Sequence, residues 1–307
     1  MSTHSTPTPI PTPAPPKRRR RFDLGTFGLV GPPLLWLVAF FVVPVVIAGA
    51  FSVGILAFFQ DEAAFSFDGW INFLNGSAYL DLFWKSAKMS LTVSVISVLL
   101  AYPVAYFMAL CAPKRKYVLL LIIIAPFFVS YFLRLLAMKV ILGDQGVINS
   151  LAYWLGLRDP ENPIPALIYS QPAVIITLVF VYVPLVALPI FVVLENLDRR
   201  LLEAATDLGA SRRTAFRAVT LPLSLPGVLA GFIFVFVPTL GEYFTPLLVG
   251  GTGGFMFGNS IADLYGPSLD WQTGSVLSIF LLAVIAVLMG LFAVAGRFLA
   301  FRSAPTG

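Results

Sequence analysis

The amino-acid sequence predicts an all-α polytopic membrane protein with six transmembrane helices and both termini on the inner side. Three observations carry that expectation. Apolar residues make up 58% of the 307 residues and charged ones only 11%, against about 25% charged in a soluble domain. A water-soluble fold of this length cannot hide so much oily surface. Six stretches reach the roughly 20 apolar residues that a spanning helix requires. Fifteen of the twenty lysines and arginines fall on alternate connections, the bias that marks the cytoplasmic side.

Residues 1–26 form a tail. Its Ser/Thr/Pro-rich part, TPTPIPTPAPP, has no apolar face to bury and reads as disordered with polyproline character. The run KRRRR at 17–21 then precedes an apolar region from Gly28 to about Phe59. That region far exceeds the 7–15 residues of a signal-peptide core and shows no small-residue cleavage site, so it reads as a signal-anchor helix. The membrane domain covers 27–302, with spans at about 29–58, 87–110, 117–141, 172–194, 223–249 and 274–299; a short tail covers 303–307. All six spans contain Pro or Gly. Neighbouring helices re-satisfy the backbone groups such residues free, so none is read as a break.

Orientation follows from where the charges sit. Lys17 to Arg21, Lys114 to Lys116, the arginines at 199, 200, 212, 213 and 217, and Arg297 and Arg302 share one side. With the connection between spans five and six free of basic residues, both ends and the 195–222 loop are placed in the cytoplasm. Two outer segments exceed simple turns. Residues 60–85 combine Asp61, Glu62, Asp68 and Asp81 with Trp70 and Trp84, a composition suited to the membrane surface. In 142–171, Val147, Ile148, Leu151, Ala152, Trp154 and Leu155 form one face of a short amphipathic helix ending at Gly156. The Gly-rich GGTGGF at 250–255 reads as a flexible outer loop.

Composition also excludes functions. Cys111 is the single cysteine and His4, in the tail, the single histidine. An internal disulfide is ruled out, and no metal site or His-based catalytic constellation is expected. A net charge of +5 says little about nucleic acid in a membrane protein, and no nucleic-acid partner is expected. No G-x4-GK-[ST] run occurs, so the chain is not expected to bind ATP.

The cytoplasmic stretch EAATDLGASRRTAFRAVTLPLSLPG (203–227) is the one long polar insert. Leu201, Leu202, Ala204, Ala205 and Leu208 fall near one helical face, and Glu203 and Asp207, four apart, share a neighbouring one. Gly209 suits the position just past a helix end. Ser211 can cap a second segment with an Ala215, Phe216 and Val219 stripe, and Pro222 and Pro226 sit at the start of the next span. Such a two-faced helix under a membrane either lies on lipid head groups or fits a groove on another protein.

EAA-x3-G with LP twelve residues beyond the glycine resembles the EAA loop of permeases of ABC importers. The matching residues are Glu203, Ala204, Ala205, Gly209, Leu221 and Pro222. The resemblance implies a type I ABC importer permease fold, in which this loop is a coupling helix seated in a groove of a separate ATP-binding subunit. Glu203, Ala204, Ala205, Asp207 and Gly209 would make that contact. It also implies two ATPase subunits that carry the ATP and Mg, a second related permease chain, an extracytoplasmic solute-binding protein, and residence in the bacterial cytoplasmic (inner) membrane. Residues 130–157, 194–211 and 236–251 resemble the spermidine/putrescine permease branch, the PotB/PotH type, over roughly 30–300. That narrower likeness implies a polyamine as solute, with another small solute as the alternative.

Two ionisable residues lie within spans, where insertion costs at least about 2.5–3.5 kcal/mol at the bilayer centre. Glu242, beside Tyr243 and Phe244, either attracts an ammonium group along the substrate pathway or pairs with Arg134, at similar depth. Tyr131 and Tyr182 are further pathway candidates. An autonomous secondary transporter or channel is the other class of reading. It is disfavoured because the chain shows no matching halves with paired mid-membrane sites.

Overall fold

The computed structural model describes residues 24–56, 65–112, 114–157, 159, 164 and 167–303. The expectations for the 1–23 tail, for Asp61 and Glu62 and for 304–307 lie outside these residues. The chain divides into two units, 1–46 and 47–307. In the first runs most of α1 (Leu24–Ser52), which continues through Pro32, Pro33 and Pro44. Its 29 residues rise about 43 Å, enough for a hydrocarbon core of about 30 Å.

The second unit holds α2 (Asp68–Asn75), α3 (Ser77–Tyr106), α4 (Lys116–Ile124), α5 (Tyr131–Leu142), α6 (Val147–Trp154) and α7 (Gln171–Glu195). After these come α8 (Arg199–Asp207), α9 (Arg212–Ala215), α10 (Leu221–Leu240), α11 (Phe257–Tyr265) and α12 (Trp271–Ser303). Among the described residues six helical stretches are long and apolar enough to cross a membrane, one of them, Tyr131–Trp154, made of α5 and α6 together.

The core lies where α3, α7 and α10 pack together. Met89, Val93, Val174, Leu178, Val186, Ile190 and Val235 are fully buried there. Ser86, Ser90, Ser94 and Ser97 fall on one buried face of α3. In lipid no hydrophobic force draws helices together, so small residues that permit close approach do that work. Gly227 shows the same logic on α10. A Cβ there would stand 2.8 Å from the Pro189 carbonyl oxygen and 3.1 Å from Ile190 Cα, both backbone atoms of α7. Gly227→Val is therefore expected to lower stability by about 1–3 kcal/mol through overpacking. Gly290→Val, with nothing within 4 Å, is expected to change it little. Thermal unfolding of the two purified variants in detergent checks this. A second cluster ties α2, α3, α11 and α12 through Phe73, Phe83, Phe257 and Phe280, with the Phe280 ring 4.8 Å from Phe73 and 5.1 Å from Phe83.

Several boundaries differ from expectation. The second span starts at Ser77 rather than 87, so Asp81 and Trp84 belong to the helix. The third stretch, expected as one helix over 117–141, is broken. After α4 the chain tightens into a single 3-10 turn at Ala125–Phe128, is extended at Val129 and Ser130, and restarts as α5. Pro126 supplies no N–H to continue α4. At twelve residues α5 rises about 18 Å, too little to cross alone. The fifth span, expected to reach 249, stops at Leu240. GGTGGF is not a loose loop: Gly254 N–H donates to Gly250 O at 2.8 Å, and both glycines are buried against Val174 of α7. By contrast α6 ends as its sequence implies. Gly156 has φ +69°, and the Gly156 and Leu157 amides close back onto Tyr153 O and Ala152 O, the Schellman pattern.

Candidate functional site

Two places in the second unit hold the residues singled out by sequence. The first is the connection from α7 to α10. Asp198 caps α8 by accepting from the Arg200 N–H at 3.0 Å. The helix ends at Gly209, whose φ of +81° lies in the left-handed region that favours glycine. Gly209 N–H donates to Thr206 O at 2.9 Å and Ala210 N–H to Ala205 O at 3.0 Å, another Schellman closure. Ser211 then caps α9, accepting from Thr214 N–H at 3.3 Å. A π-helical turn, Phe216–Thr220, leads into α10. Phe216 docks this loop on the core, edge-on to Tyr102 at 5.9 Å and to Tyr106 at 5.7 Å.

Of the expected contact residues, Glu203, Ala204, Asp207 and Gly209 are exposed and Ala205 is half-buried, so the fold presents all five on one short element. Leu208, expected near the apolar face that meets lipid or a partner, is 89% exposed. Behind α8 lies a recess of about 360 Å³ between Tyr106, Arg199, Leu202, Glu203, Arg212 and Phe216. At the same end Lys116 Nζ pairs with Glu195 Oε1 at 2.5 Å, and Tyr117 Oη donates to that oxygen at 2.9 Å. This tie fixes the start of α4 to the end of α7, one turn before the loop. Sequence reasoning did not find it, because nothing local relates residues 79 apart.

The second place is at the opposite end, where α5 begins and α10 stops. Ser130, Tyr131, Phe132, Pro238, Gly241, Glu242, Tyr243 and Phe244 enclose a cleft of about 460 Å³. Glu242 is fully engaged there. Its Oε1 accepts the Phe244 and Thr245 N–H groups, each at 3.0 Å, and the Thr245 hydroxyl at 3.3 Å. Its Oε2 accepts the Tyr131 hydroxyl at 3.0 Å. The carboxylate thus caps the turn after α10 and clasps it to the first residue of α5. Asn259 of α11 braces the same turn, donating to Tyr243 O at 2.8 Å.

Arg134 and Glu242 do not pair; among the described residues the only ion pair joins Lys116 to Glu195. Arg134 instead lies with its guanidinium 4.8 Å from the Phe127 ring centroid and 5.7 Å from that of Tyr131. It is 8% exposed, and its Nε has no hydrogen-bond partner among the described residues. Thr245 and Phe127 are the participants sequence reasoning missed. A hydroxyl three residues after an acid, next to a proline, is the signal for the first; the second is brought near Arg134 only by the break at Val129. A larger hollow of about 660 Å³ between α3, α4 and α7 is lined by apolar side chains such as Leu100, Ile122 and Phe180. It offers a hydrophilic solute nothing to bind.

Residues 101–302 match the family described as binding-protein-dependent transport system inner membrane component. The spermidine/putrescine transport system permease protein PotB of Haemophilus influenzae is 33% identical over 271 residues, covering 86% of this chain and 91% of the relative. PotB of Escherichia coli K12 is 32% identical over 269 residues, covering 86% and 95%. Among solved structures, a bacterial ABC transporter involved in the import of the acidic polysaccharide alginate superposes with a TM-score of 0.69 at 18% identity, covering 90% of this chain and 96% of that one.

Proposed function

We infer the function from one premise: the chain belongs to the family of binding-protein-dependent transport system inner membrane components. It is a permease subunit of an ATP-binding-cassette importer, with the type I permease fold, in the inner membrane. We propose that its solute is a polyamine such as spermidine or putrescine, delivered to the outer face by a binding protein. A related permease chain would complete the path, and two ATPase subunits would supply the ATP and Mg. In this arrangement the basic end, with both termini and the α8–α9 loop, is cytoplasmic, as the lysine and arginine bias supports.

The observation that carries the reading is the α8 turn itself. Glu203, Ala204, Asp207 and Leu208 are displayed on a capped helix, and Phe216, in the turn that follows α9, docks the same loop on α3. A helix built that way transmits a push. When the ATPase pair closes, movement of α8 passes through the Phe216 anchor into α3 and, by the direct chain connection, into α10. The small Ala204 and Ala205 permit close approach of a partner, and Glu203 and Asp207 suit a basic groove. At the other end, the cleft bearing Glu242, Tyr243, Phe244 and Tyr131 offers negative charge and aromatic faces, which suit an alkylammonium solute. Arg134 borders it.

The test is reconstitution of the chain with the ATPase, second permease and binding protein of the same importer. ATP-dependent uptake of radiolabelled spermidine or putrescine is expected, with none in the absence of ATP. Uptake driven by a proton gradient alone, or a binding protein whose melting temperature ignores both polyamines, would overturn the reading.

A further inference from the structure

Arg134 is an anomaly on electrostatic grounds. Buried charges are ordinarily paired or hydrogen-bonded, yet among the described residues this guanidinium has neither an ion pair nor a side-chain hydrogen bond, and its enclosed Nε meets no acceptor. What holds it is a pair of ring faces, Phe127 and Tyr131. Tyr131 stands between opposite charges. Its ring faces the Arg134 cation while its hydroxyl donates to the Glu242 carboxylate. The same Tyr131 lines the 460 Å³ cleft, and Phe127 is 37% exposed. Aromatic faces, one of them beside a carboxylate, suit an organic cation, and here the chain's own cation already sits against both rings.

We propose that Phe127 and Tyr131 form a seat for the ammonium end of the solute, and that Arg134 fills this seat as a built-in surrogate which the solute displaces. For the nature of the displacing group this rests on the polyamine reading above. The exchange is chemically balanced: one cation leaves the ring faces and another arrives, so the charge beside Glu242 is unchanged. Displacement also frees Arg134 Nε to meet water, which removes the orphaned donor. While Arg134 is in place, the seat rejects a second cation by charge and by volume.

The experiment uses the full importer complex in nanodiscs, titrated with spermidine and with putrescine and followed by thermal stability. The neutral diol 1,4-butanediol serves as control. Arg134→Met keeps a long side chain and removes the charge, and Arg134→Gln is a second neutral variant in case the first folds poorly. Either is expected to be stabilised by the polyamines at about tenfold lower concentration than wild type, the scale of one desolvated cation–π contact. Arg134→Lys is expected to behave as wild type, and the diol to do nothing. Adding Phe127→Leu to the neutral variant is expected to abolish the gain without touching the Glu242 clasp. An unchanged midpoint in both neutral variants, or a gain that survives Phe127→Leu, would overturn the seat. ATP-driven uptake by the wild-type complex reports separately on the solute. If it transports no polyamine while Arg134→Met gains Phe127-dependent cation binding, the solute assignment falls and the seat stands.

Discussion

Deleting residues 203–209 is expected to abolish ATP-driven uptake and release the ATPase subunits from the complex while the chain still inserts in the membrane. The deletion removes most of α8 and its Gly209 corner but no residue of the six apolar helices, so insertion has no reason to fail. A milder variant reads the same contact quantitatively. Leu208 is 89% exposed in the isolated chain, and full burial of a leucine contributes about 1.5–3 kcal/mol. Leu208→Ser is therefore expected to weaken ATPase binding about ten- to hundred-fold, measured by co-purification at graded ATPase concentration. Uptake that persists after the deletion, or ATPase that co-purifies undiminished, would show that the loop rests on lipid and grips no motor.

Glu242 carries the second large effect, and two substitutions separate its roles. Glu242→Ala leaves the Phe244 and Thr245 amides without their acceptor and the Tyr131 hydroxyl without its carboxylate. With about 1–3 kcal/mol for an unsatisfied buried donor and about 0.5–2 for a lost cap, a stability loss of roughly 2–4 kcal/mol is expected. Glu242→Gln keeps one carbonyl oxygen for the two amides and offers its NH2 group to the Tyr131 oxygen, which can accept. It is expected to melt near the wild-type temperature. Without the charge, its apparent affinity for spermidine in uptake assays is expected to fall about tenfold, the scale of one charge-assisted hydrogen bond. A Gln variant with wild-type uptake would confine Glu242 to holding the turn.

How far the sequence could be read depended on where each cause lies along the chain. The fourth apolar stretch was expected at 172–194, and α7 runs Gln171–Glu195 because its end signals are local: Ser170 accepts from Ala173 N–H and Pro172 sits in the first turn. The α8–Gly209–α9 corner was legible for the same reason, since caps and a left-handed glycine are set within four residues. The break in the third stretch was not. A proline inside an apolar run is tolerated or disruptive according to whether neighbours re-satisfy the freed backbone groups, and only the folded chain decides that. Pro32, Pro33, Pro44, Pro184 and Pro189 lie inside helices, whereas α4 ends beside Pro126. Equal depth suggested that Glu242 and Arg134 pair. Tyr131 takes a place between them, and depth along a helix axis says nothing about which way around that axis a side chain points.

The bare side chain of Leu208 also bears on how much of this subunit a cell can keep. On the proposed ATPase contact, copies synthesised in step with their companions would cover that leucine on assembly. Surplus copies would leave it in water at the Gly209 corner, an apolar spot open to proteolytic removal. On the proposed contact, a surplus copy and an assembled one would differ in the exposure of this side chain.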